Sequence, residues 1–598
     1  MLSRNSLKRM QVGIVLISIG AVSNFGQSTL SVNPSAPGAV VRNEIFGGLM
    51  EKGLGRGLKG GIFCGTDANI PHVNGLRQDV IDGFKEVGFG ALQWPGGCAA
   101  HNYEWDRQLN PSNDIGTDRF MQFCQLVGCE PILTGTANSS WAPSNKAWLD
   151  YVNRNEDHPD WNVKYFQLGN EVWGCGGNYG SWGAYKPNYD ANYDAIRGVA
   201  QNDDVELIAG TDGIWRFEPW LKEMLQAEGN RIELIEIHDY IYFPDPPDGI
   251  DHLNFTDAQY YDICNRANES QMKPRLDQII SILDQYDPEG KILIWEGEWG
   301  NWLIDDGTNG WRQAGTLLDA LSAGETLNLF IRYAKRMMGA GLAQVVNVIH
   351  SIMNTESATG ALVKTPTFYV FKMYLSHHRN NAKTIPFTLN SERVSNMPAI
   401  SAATTVDDSI IGDNKVGNVN VSLTNIDLSQ ERTVNMTLSN VDGDWTCFSA
   451  NVVTGPQKNS YNNYGQSEAV TMKPLAEANV SKTGERTFTV KMPAKSIAML
   501  RFRRIPTSVR TDGTAAGAGT SFSIRPENGR VLVSSTVNMK TPVTVTMYSV
   551  DGRTLITSGA IKAGSSACTL EKLQGKGVYL VNVAGTGVSV TKKVVLTK

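Results

Sequence analysis

Two short segments of this 598-residue chain place a glutamate where an apolar run, readable as a buried strand, meets a loop. The first is FQLGNEVWGCGG at 166–177, which contains Glu171. The second is ILIWEGEWGNW at 292–302, which contains Glu296 and Glu298. A pair of carboxyl groups can cleave a glycosidic bond, because one donates a proton to the leaving oxygen while the other attacks the anomeric carbon or activates water.

The second segment leaves a choice between two acids. Glu296 and Glu298 lie two residues apart, so a regular strand would place both side chains on one face, and only one of them need react. In the first segment Asn170 precedes Glu171, and this amide can hold a sugar hydroxyl while the acid faces the glycosidic oxygen. The competing interpretation, a strand–loop junction with turn-forming or solvated residues, weakens when two such strands occur in one chain.

The elements that must position these acids alternate between strands and helices. Helical patterns occur between many of the strands, as at 79–87 and 328–338. Eight strand–helix units predict an α/β fold, a (β/α)8 TIM barrel whose active site lies at the C-terminal ends of its strands. The alternative, a doubly wound open sheet, would require a glycine-rich turn after its first strand, followed by a helix. Gly53, Gly55 and Gly57 are close to such a turn, but no helix pattern follows them. The candidate strands are 45–51, 91–95, 131–136, 164–171, 205–211, 232–240, 291–298 and 343–350.

Beyond residue 375 helical patterns nearly disappear, which predicts an all-β sandwich. The early stretch 28–33 is predicted to pair into this sandwich, since the two flank the barrel in sequence. Residues 513–520, GTAAGAGT, have the composition of a flexible linker. The candidate sandwich strands are 419–423, 433–438, 445–453, 469–472, 487–492 and 496–502.

The N-terminus has the pattern of a signal peptide. A basic region with Arg4, Lys8 and Arg9 precedes an apolar run at 12–22 that is too short to cross a bilayer. The predicted organisation is a signal peptide (1–23), an N-terminal strand joining the sandwich (28–44), the barrel (45–375), the β-sandwich (376–505), a linker (506–520) and a small β module (521–598).

Composition excludes several classes of protein. A formal net charge of -6 argues against nucleic acid as a partner and fits a neutral ligand such as a sugar. The eight cysteines are sparse and irregularly spaced, and the chain has neither a CxxC pair nor an HExxH motif, so we predict no metal and no cofactor. No later stretch is long and apolar enough for a membrane span.

Several motifs in matching order resemble glycoside hydrolase family 51, the α-L-arabinofuranosidases. They are GNEVWGCGGNY at 169–179, EWGNW at 298–302, WPGGC at 94–98, and the stretches 327–353 and 365–374. The resemblance runs from about residue 40 to about residue 505. It implies a barrel with a β-sandwich that includes an N-terminal strand. It also implies exo-acting hydrolysis with retention, releasing arabinose from side chains of plant cell-wall arabinan or arabinoxylan.

The same resemblance implies roles for individual residues. Glu171 matches the general acid/base and Glu298 the nucleophile, with Glu296 as a neighbour. Because the acid must hold a proton, we expect Glu171 to have the raised pKa of the pair. His238 is interpreted as a structural or polar neighbour. The predicted substrate contacts are Glu51, Cys98, Asn170, Tyr240, Gln344, Trp299 and Trp302, the two tryptophans being equally compatible with core packing.

The chain departs from the family pattern at three positions. Gln93 stands where Arg or Lys is usual before WPGG, Gly297 stands in place of Asp before EWG, and Lys52 follows Glu51 where other residues are commoner. These departures leave two alternatives open. One is an endoglucanase or xylosidase on the same scaffold, and the other is a non-catalytic carbohydrate-binding surface protein, which a missing catalytic acid would favour.

The last segment resembles the C-terminal sorting domain of type IX secretion systems. GVYLVNV at 577–583 and the lysine-containing terminal strand KKVVLTK carry this resemblance. It implies a secreted or cell-surface protein that crosses the periplasm of a Gram-negative bacterium, with the secretion machinery as a partner. The alternative is a generic immunoglobulin-like accessory domain.

Overall fold

The computed structural model describes most of the chain, in these ranges: 27–52, 61–66, 68–112, 114–198, 204–212, 217–242, 249–305, 311–355, 360–409, 417–505, 522–527, 530–536, 538–549, 555–570, 577–585 and 588–596. The predicted signal peptide and the predicted linker lie outside these ranges. Within them, no helix has the length and apolar character needed to cross a membrane.

Eight parallel strands close into a barrel, in the spatial order β10–β11–β2–β5–β6–β7–β8–β9. This arrangement confirms the predicted barrel. Its interior is a packed layer that includes Ile132, Ile208, Leu234 and Trp295. The strands are β2 (Gly47–Leu49), β5 (Ala91–Trp94), β6 (Glu130–Gly135), β7 (Tyr165–Leu168), β8 (Glu206–Ala209), β9 (Leu234–Ile241), β10 (Leu293–Asn301) and β11 (Met337–Leu342).

Amphipathic helices cover the outside of the barrel. The first shows why: its apolar residues recur every three or four positions, so Val80, Ile81 and Phe84 are all buried, and it ends at Gly88 in a left-handed cap with φ 60°. The helices are α1 (Gln78–Val87), α2 (Thr117–Val127), α3 (Ala142–Asn153), α4 (Trp182–Arg197), α5 (Phe217–Glu228), α6 (Asp257–Asn265), α7 (Met272–Tyr286), α8 (Leu317–Arg332) and α9 (Pro366–Tyr374). Short hairpin strands accompany them: β3 (His72–Val73), β4 (Leu76–Arg77), β12 (Met353–Thr355) and β13 (Leu362–Lys364).

The eighth barrel strand is not where the sequence pattern placed it. The predicted helix at 328–338 and strand at 343–350 are wrong, because α8 ends at Arg332 and β11 occupies Met337–Leu342. The sequence of β11, MMGAGL, is buried on both faces and so shows no alternation. Its glycines are needed for close packing, since a Cβ on Gly341 would lie 2.4 Å from the carbonyl oxygen of Gly297.

Two antiparallel-rich sheets form the β-sandwich, in the orders β15–β1–β20–β24–β23 and β14–β18–β19–β25–β21–β22. The N-terminal strand β1 lies inside the first sheet, antiparallel to β15 and parallel to β20. The hairpin of β16 (Arg393–Val394) and β17 (Met397–Pro398) forms a separate two-stranded sheet. The sandwich strands are β1 (Ser28–Val32), β14 (Lys383–Thr384), β15 (Phe387–Asn390), β18 (Ile400–Val406), β19 (Val419–Asn425), β20 (Arg432–Leu438), β21 (Trp445–Thr454), β22 (Met472–Pro474), β23 (Val480–Lys482), β24 (Thr487–Met492) and β25 (Ser496–Arg504).

Helix α8 joins the barrel to the sandwich and is buried from Leu317 to Ile331. A helix enclosed on every side must satisfy its polar groups internally. Accordingly, the Asn328 amide donates to the Ser401 hydroxyl at 2.9 Å, and the Thr424 hydroxyl donates to the Glu325 carboxyl. These cross-domain bonds fix the sandwich against the side of the barrel.

The C-terminal segment has a core of its own, built from residues such as Val531, Val545 and Val583. Its strands form two sheets, β26–β27–β30 and β29–β28–β31–β32. They are β26 (Phe522–Glu527), β27 (Arg530–Ser535), β28 (Val543–Ser549), β29 (Leu555–Ile561), β30 (Ala567–Leu570), β31 (Gly577–Gly585) and β32 (Val588–Leu596).

The position of β1 predicts which of its side chains stabilise the β-sandwich. Leu30 is 1% exposed in the sandwich core, whereas the neighbouring Ser31 faces solvent. We expect Leu30→Ala to cost about 2–5 kcal/mol of sandwich stability and Ser31→Ala to cost little. Thermal unfolding at one fixed scan rate measures the difference, and equal unfolding midpoints for the two variants would contradict the assignment of β1 to the sandwich.

Candidate active site

A β-bulge in β10 decides which of its two glutamates faces the barrel mouth. Along β9, Glu296 is opposite Ile237 but Glu298 is opposite His238, with an irregularity between them. Gly297 is therefore the extra residue of the bulge, and the two side chains leave the strand in different directions. The expectation that Glu296 and Glu298 share one face is wrong, because it assumed a regular strand. A Cβ on Gly297 would lie 3.0 Å from the His238 Nε2 atom, so the bulge is tightly packed.

Glu296 is isolated from the mouth. It is fully buried, and neither of its carboxyl oxygens has a hydrogen-bond partner among the described residues. Burial, and then the neighbouring Asp239, raise the pKa of Glu296 well above its usual range. Burial favours the neutral form of this carboxyl group, and its position away from the mouth excludes it as the nucleophile.

Glu171 follows β7 and reaches the mouth from a backbone with φ 44°, the left-handed region that non-glycine residues seldom occupy. Its side chain is 25% exposed, and its Oε1 atom lies 3.1 Å from the His238 Nδ1 atom. A disulfide between Cys98 and Cys175 links the loop after β5 to the loop after β7. The Cys175 sulfur lies 3.8 Å from Glu171 Oε2, so Cys98 is at the site as half of a disulfide.

Glu298 lies deeper than Glu171, with a side chain that is 8% exposed. The Tyr240 hydroxyl donates to its Oε2 atom at 2.6 Å, and the His238 Nδ1 atom lies 3.8 Å from the same oxygen. One carboxyl oxygen of Glu298 and one of Glu171 lie within 4.8 Å of each other. Two ionised carboxylates at this separation repel strongly, so the pair should share a proton.

The environment of Glu298 shifts the pKa of this carboxyl upward, which the sequence interpretation did not expect. Burial, and the nearby Glu171 and Glu51 carboxyls, raise the pKa of Glu298 to about 8, against the opposing effects of His238 and the Tyr240 hydroxyl. Glu298, the deeper glutamate, is therefore protonated at neutral pH. The sequence carries no signal for this, because it does not record relative depth.

Three further predicted contacts also reach the mouth. Glu51 follows β2, accepts a hydrogen bond from the Gln344 amide at 3.0 Å and another from the Ala99 backbone N–H at 3.3 Å, and burial raises its pKa. Asn170 is fully buried, and neither end of its amide has a partner among the described residues. A buried amide left open beside two carboxyls is suited to a polar ligand.

The two tryptophans predicted to stack on sugar differ in position. The prediction for Trp299 is wrong: it is 1% exposed and packs against Phe330 and Phe371 between the barrel and its helices, because it follows Glu298 on the opposite face. Trp302 is half-buried and lies against the Tyr240 ring, with a centroid distance of 4.8 Å. Its role as a sugar contact stays a prediction.

His238 is the residue whose importance the sequence interpretation underestimated. It is buried at the centre of the acids, with Nδ1 on Glu171 and Nε2 2.9 Å from the Glu236 Oε1 atom. Although burial alone would lower it, Glu298 and Glu236 raise the pKa of His238 well above its usual value. The alternation of LIEIHDYI at 234–241 could have indicated this, since it places 236, 238 and 240 on one face.

Gln93, the departure before WPGG, is buried below the mouth. Its amide donates to the Thr134 hydroxyl at 3.0 Å and accepts from the Trp295 indole N–H at 3.0 Å. The side chain is thus fully used in neutral hydrogen bonds. In this chain the cationic neighbour of Glu298 is His238.

Among the described residues, one set of side chains without a disulfide has the spacing of metal ligands. Glu171, His238 and Glu298 offer three ligand atoms within 4.8 Å of one another. The contacts of the histidine ring with carboxyl oxygens account for the same clustering, because an imidazolium between carboxylates needs no ion.

Comparison with known proteins finds relatives that are similar over most of this chain. Residues 297–496 match the family model for the alpha-L-arabinofuranosidase C-terminal domain. The chain is 29% identical over 528 residues to an intracellular exo-alpha-L-arabinofuranosidase of Bacteroides ovatus, covering 80% of this chain and 96% of that protein. It is 24% identical over 532 residues to a probable alpha-L-arabinofuranosidase C of Aspergillus flavus, covering 81% and 99%.

A solved structure is similar over the same extent. The GH51 arabinofuranosidase from Xanthomonas axonopodis pv. citri superposes with a TM-score of 0.69 at 26% identity, covering 80% of this chain and 100% of that one. A carboxyl pair at the C-terminal ends of barrel strands, in a chain with these relatives, defines a glycoside hydrolase. More narrowly, the protein is an α-L-arabinofuranosidase-type enzyme, similar in sequence and fold to the arabinofuranosidases named above.

The shared proton predicts a pH dependence. The pair must keep one proton for acid catalysis, so kcat/KM on an aryl α-L-arabinofuranoside should fall as pH rises through about 8, where Glu298 would lose it. Tyr240→Phe removes a hydrogen bond that lowers the pKa of Glu298. We expect this variant to move the basic limb about one unit upward, and an unmoved limb would contradict the role of the Tyr240 hydroxyl.

Proposed function

We propose that the protein is a retaining, exo-acting α-L-arabinofuranosidase with Glu298 as nucleophile and Glu171 as general acid/base. The observation that carries this proposal is the short distance between them, with carboxyl oxygens within 4.8 Å. Retaining enzymes separate their carboxyl groups by about 5–5.5 Å, while inverting enzymes need about 6.5–9.5 Å to admit a water molecule. The short distance between the nearest carboxyl oxygens supports the retaining arrangement.

The proposed reaction has two steps. In the first, Glu298 attacks the anomeric carbon while Glu171 gives its proton to the leaving oxygen. Glu171 is the more exposed of the two carboxyls, which suits the group that must meet the leaving alcohol and later water. In the second, Glu171 takes a proton from water as the water displaces Glu298 and releases arabinose with its original configuration.

The proton must move before the first step. Glu298 must be ionised before it attacks, because a protonated carboxyl is a poor nucleophile. Glu298 must therefore be ionised once the substrate has displaced the water around it. The Tyr240 hydroxyl and His238 both stabilise its charge, and Glu171 is then the carboxyl that holds the proton. In the proposed substrate complex the shared proton is thus on Glu171, and Glu298 is ionised.

The surrounding polar groups fit a single sugar ring. Glu51 and Gln344 on one side and Asn170 on the other offer acceptors and donors for furanose hydroxyls, while Trp302 offers an apolar face. We infer exo-action on arabinofuranosyl side chains of arabinan or arabinoxylan. An endoglucanase would have to bind several consecutive pyranose rings, and a xylosidase would have to bind one pyranose ring in place of a furanose. A non-catalytic binding protein would not need two acids at this distance.

We also propose that the protein is exported and then sorted through its C-terminal module by the type IX machinery. The features that support this are the signal-peptide pattern of residues 1–23 and the final pair of strands. Strands β31 and β32 pair antiparallel along their whole length and carry the GVYLVNV and KKVVL sequences. The destination is the cell surface or the medium of a Gram-negative bacterium.

The variant Glu171→Ala distinguishes the role of Glu171 as acid/base from that of Glu298 as nucleophile. A dinitrophenyl α-L-arabinofuranoside needs no proton donor, so its glycosyl-enzyme should form, accumulate and appear as a burst, whereas hydrolysis of an arabino-oligosaccharide should fall by about 10²–10⁴-fold. Azide should restore turnover of the aryl substrate and give a glycosyl azide of unchanged anomeric configuration.

A matched pair of variants on β10 serves as the control. Glu298→Ala should abolish turnover of both substrates, while Glu296→Gln should retain it, because Glu296 already stays protonated. Equal losses on both substrates in Glu171→Ala, with no burst and no azide product, would sink the assignment. Wild-type product of inverted configuration by proton NMR would overturn retention.

Deleting residues 521–598 tests the export proposal. The purified truncated enzyme should keep its kcat/KM, because the C-terminal strands have a separate core and the candidate site lies in the barrel. In the native host the truncated chain should accumulate in the periplasm, as measured by fractionation and activity assay. Normal surface display of the truncated chain would remove the proposed role of this module.

A further inference from the structure

We propose that Glu236 is a positioning residue for the reaction, holding His238 as an imidazolium between the two candidate catalytic glutamates. Glu236 lies on β9, two residues before His238, and is fully buried. It does not reach the barrel mouth itself. The inference rests on the proposed function for its kinetic consequences, but the charge of His238 can be tested without any substrate.

The hydrogen-bond pattern assigns the charge. His238 Nε2 lies 2.9 Å from Glu236 Oε1, and Nδ1 lies 3.1 Å from Glu171 Oε1. A neutral imidazole carries one N–H and one lone pair, so it can donate to only one of two carboxylates. With an ionised carboxylate on each side both ring nitrogens donate and the ring is a cation, the state that Glu298 and Glu236 favour by raising the pKa of His238.

Glu236 is itself fixed to act as this acceptor. The Gln167 amide donates to its Oε1 atom at 2.6 Å, and the same amide donates to the Gly169 carbonyl oxygen at 3.0 Å. Burial raises the pKa of Glu236, and the adjacent His238 and the backbone N–H of Glu171 oppose this rise by stabilising the ionised carboxylate. Glu236 thus supports Glu171 from below in two ways, through the histidine and through the backbone.

The position of His238 allows its imidazolium to stabilise both candidate catalytic glutamates. His238 Nδ1 is 3.8 Å from Glu298 Oε2 as well as 3.1 Å from Glu171, so it stabilises negative charge on either carboxyl. The other groups around it are the Tyr240 hydroxyl on β9, Glu51 after β2, and Asp239 with Arg275 behind the sheet. By donating to Glu171 Oε1, the ring leaves Oε2 as the oxygen for proton transfer.

Glu236→Gln separates charge from geometry. A glutamine amide can donate an N–H to the Nε2 lone pair, so a neutral His238 keeps its Nδ1–H bond to Glu171. The variant removes the positive charge of His238 and the negative charge of Glu236. Because His238 is the nearer of the two to Glu171 and Glu298, the loss of its positive charge dominates, and the pKa values of this pair should rise. We expect the acid limb of kcat/KM on an aryl arabinofuranoside to move about one unit upward, with about tenfold lower activity on the acid side.

Two further variants make the kinetic result specific. Glu296→Gln, the same change at an equally buried site on the neighbouring strand, should leave the limbs unmoved. Glu236→Asp keeps the charge at a shorter reach and should partly restore the wild-type profile. A uniform loss of kcat at every pH in Glu236→Gln, without a shifted limb, would show a merely structural role and overturn the proposal, as would a downward shift.

The direct test uses the wild-type protein. Nitrogen-15 NMR of the histidine-labelled enzyme, with His238 assigned by comparison with His238→Gln, should show both ring nitrogens protonated at neutral pH. Glu236→Gln should show a neutral ring with the proton on Nδ1. A neutral His238 in the wild type would overturn the proposal even if Glu236→Gln fails to fold. Absence of arabinofuranosidase activity would remove only the proposed function and leave this result standing.

Discussion

Everything at the barrel mouth depends on keeping two carboxyl groups within 4.8 Å of each other while only one of them is charged. Coulomb repulsion between two ionised carboxylates in a partly dry cleft would otherwise push the loops apart. The protein meets this constraint with a shared proton, one tyrosine hydroxyl and one histidine. The neutral surroundings, such as Gln93 below and the protonated Glu296 behind the strand, add no further charge to this balance.

The scaffold contributes rigidity where the charges meet. The bulge at Gly297 turns Glu298 toward His238, the disulfide between Cys98 and Cys175 ties two mouth loops together, and Glu171 stands on a left-handed backbone. Such features cost conformational energy on their own. They persist because the buried helix α8 and the packed barrel interior hold the strands that carry them.

The sequence was sufficient for the features that depend on repetition and failed for those that depend on local irregularity. Counting strand–helix units identified the barrel, and alternation in β9 contained the information for Glu236 and His238. The eighth strand was missed because MMGAGL is buried on both faces and has no period. The outward position of Trp299 and the separation of Glu296 from Glu298 both follow from one inserted glycine, which no periodic pattern can represent.

The position of β1 constrains how this chain folds during synthesis and how its domains can be exchanged. Ser28 pairs with Val434, so the first described strand must wait for the last third of the protein before its sheet exists. During synthesis the barrel segment emerges with that strand still unpaired, and closing so long a loop is slow. It follows that barrel and sandwich are interlocked rather than modular: any chimera that exchanges one of them has to carry residues 28–32 together with the distant sheet.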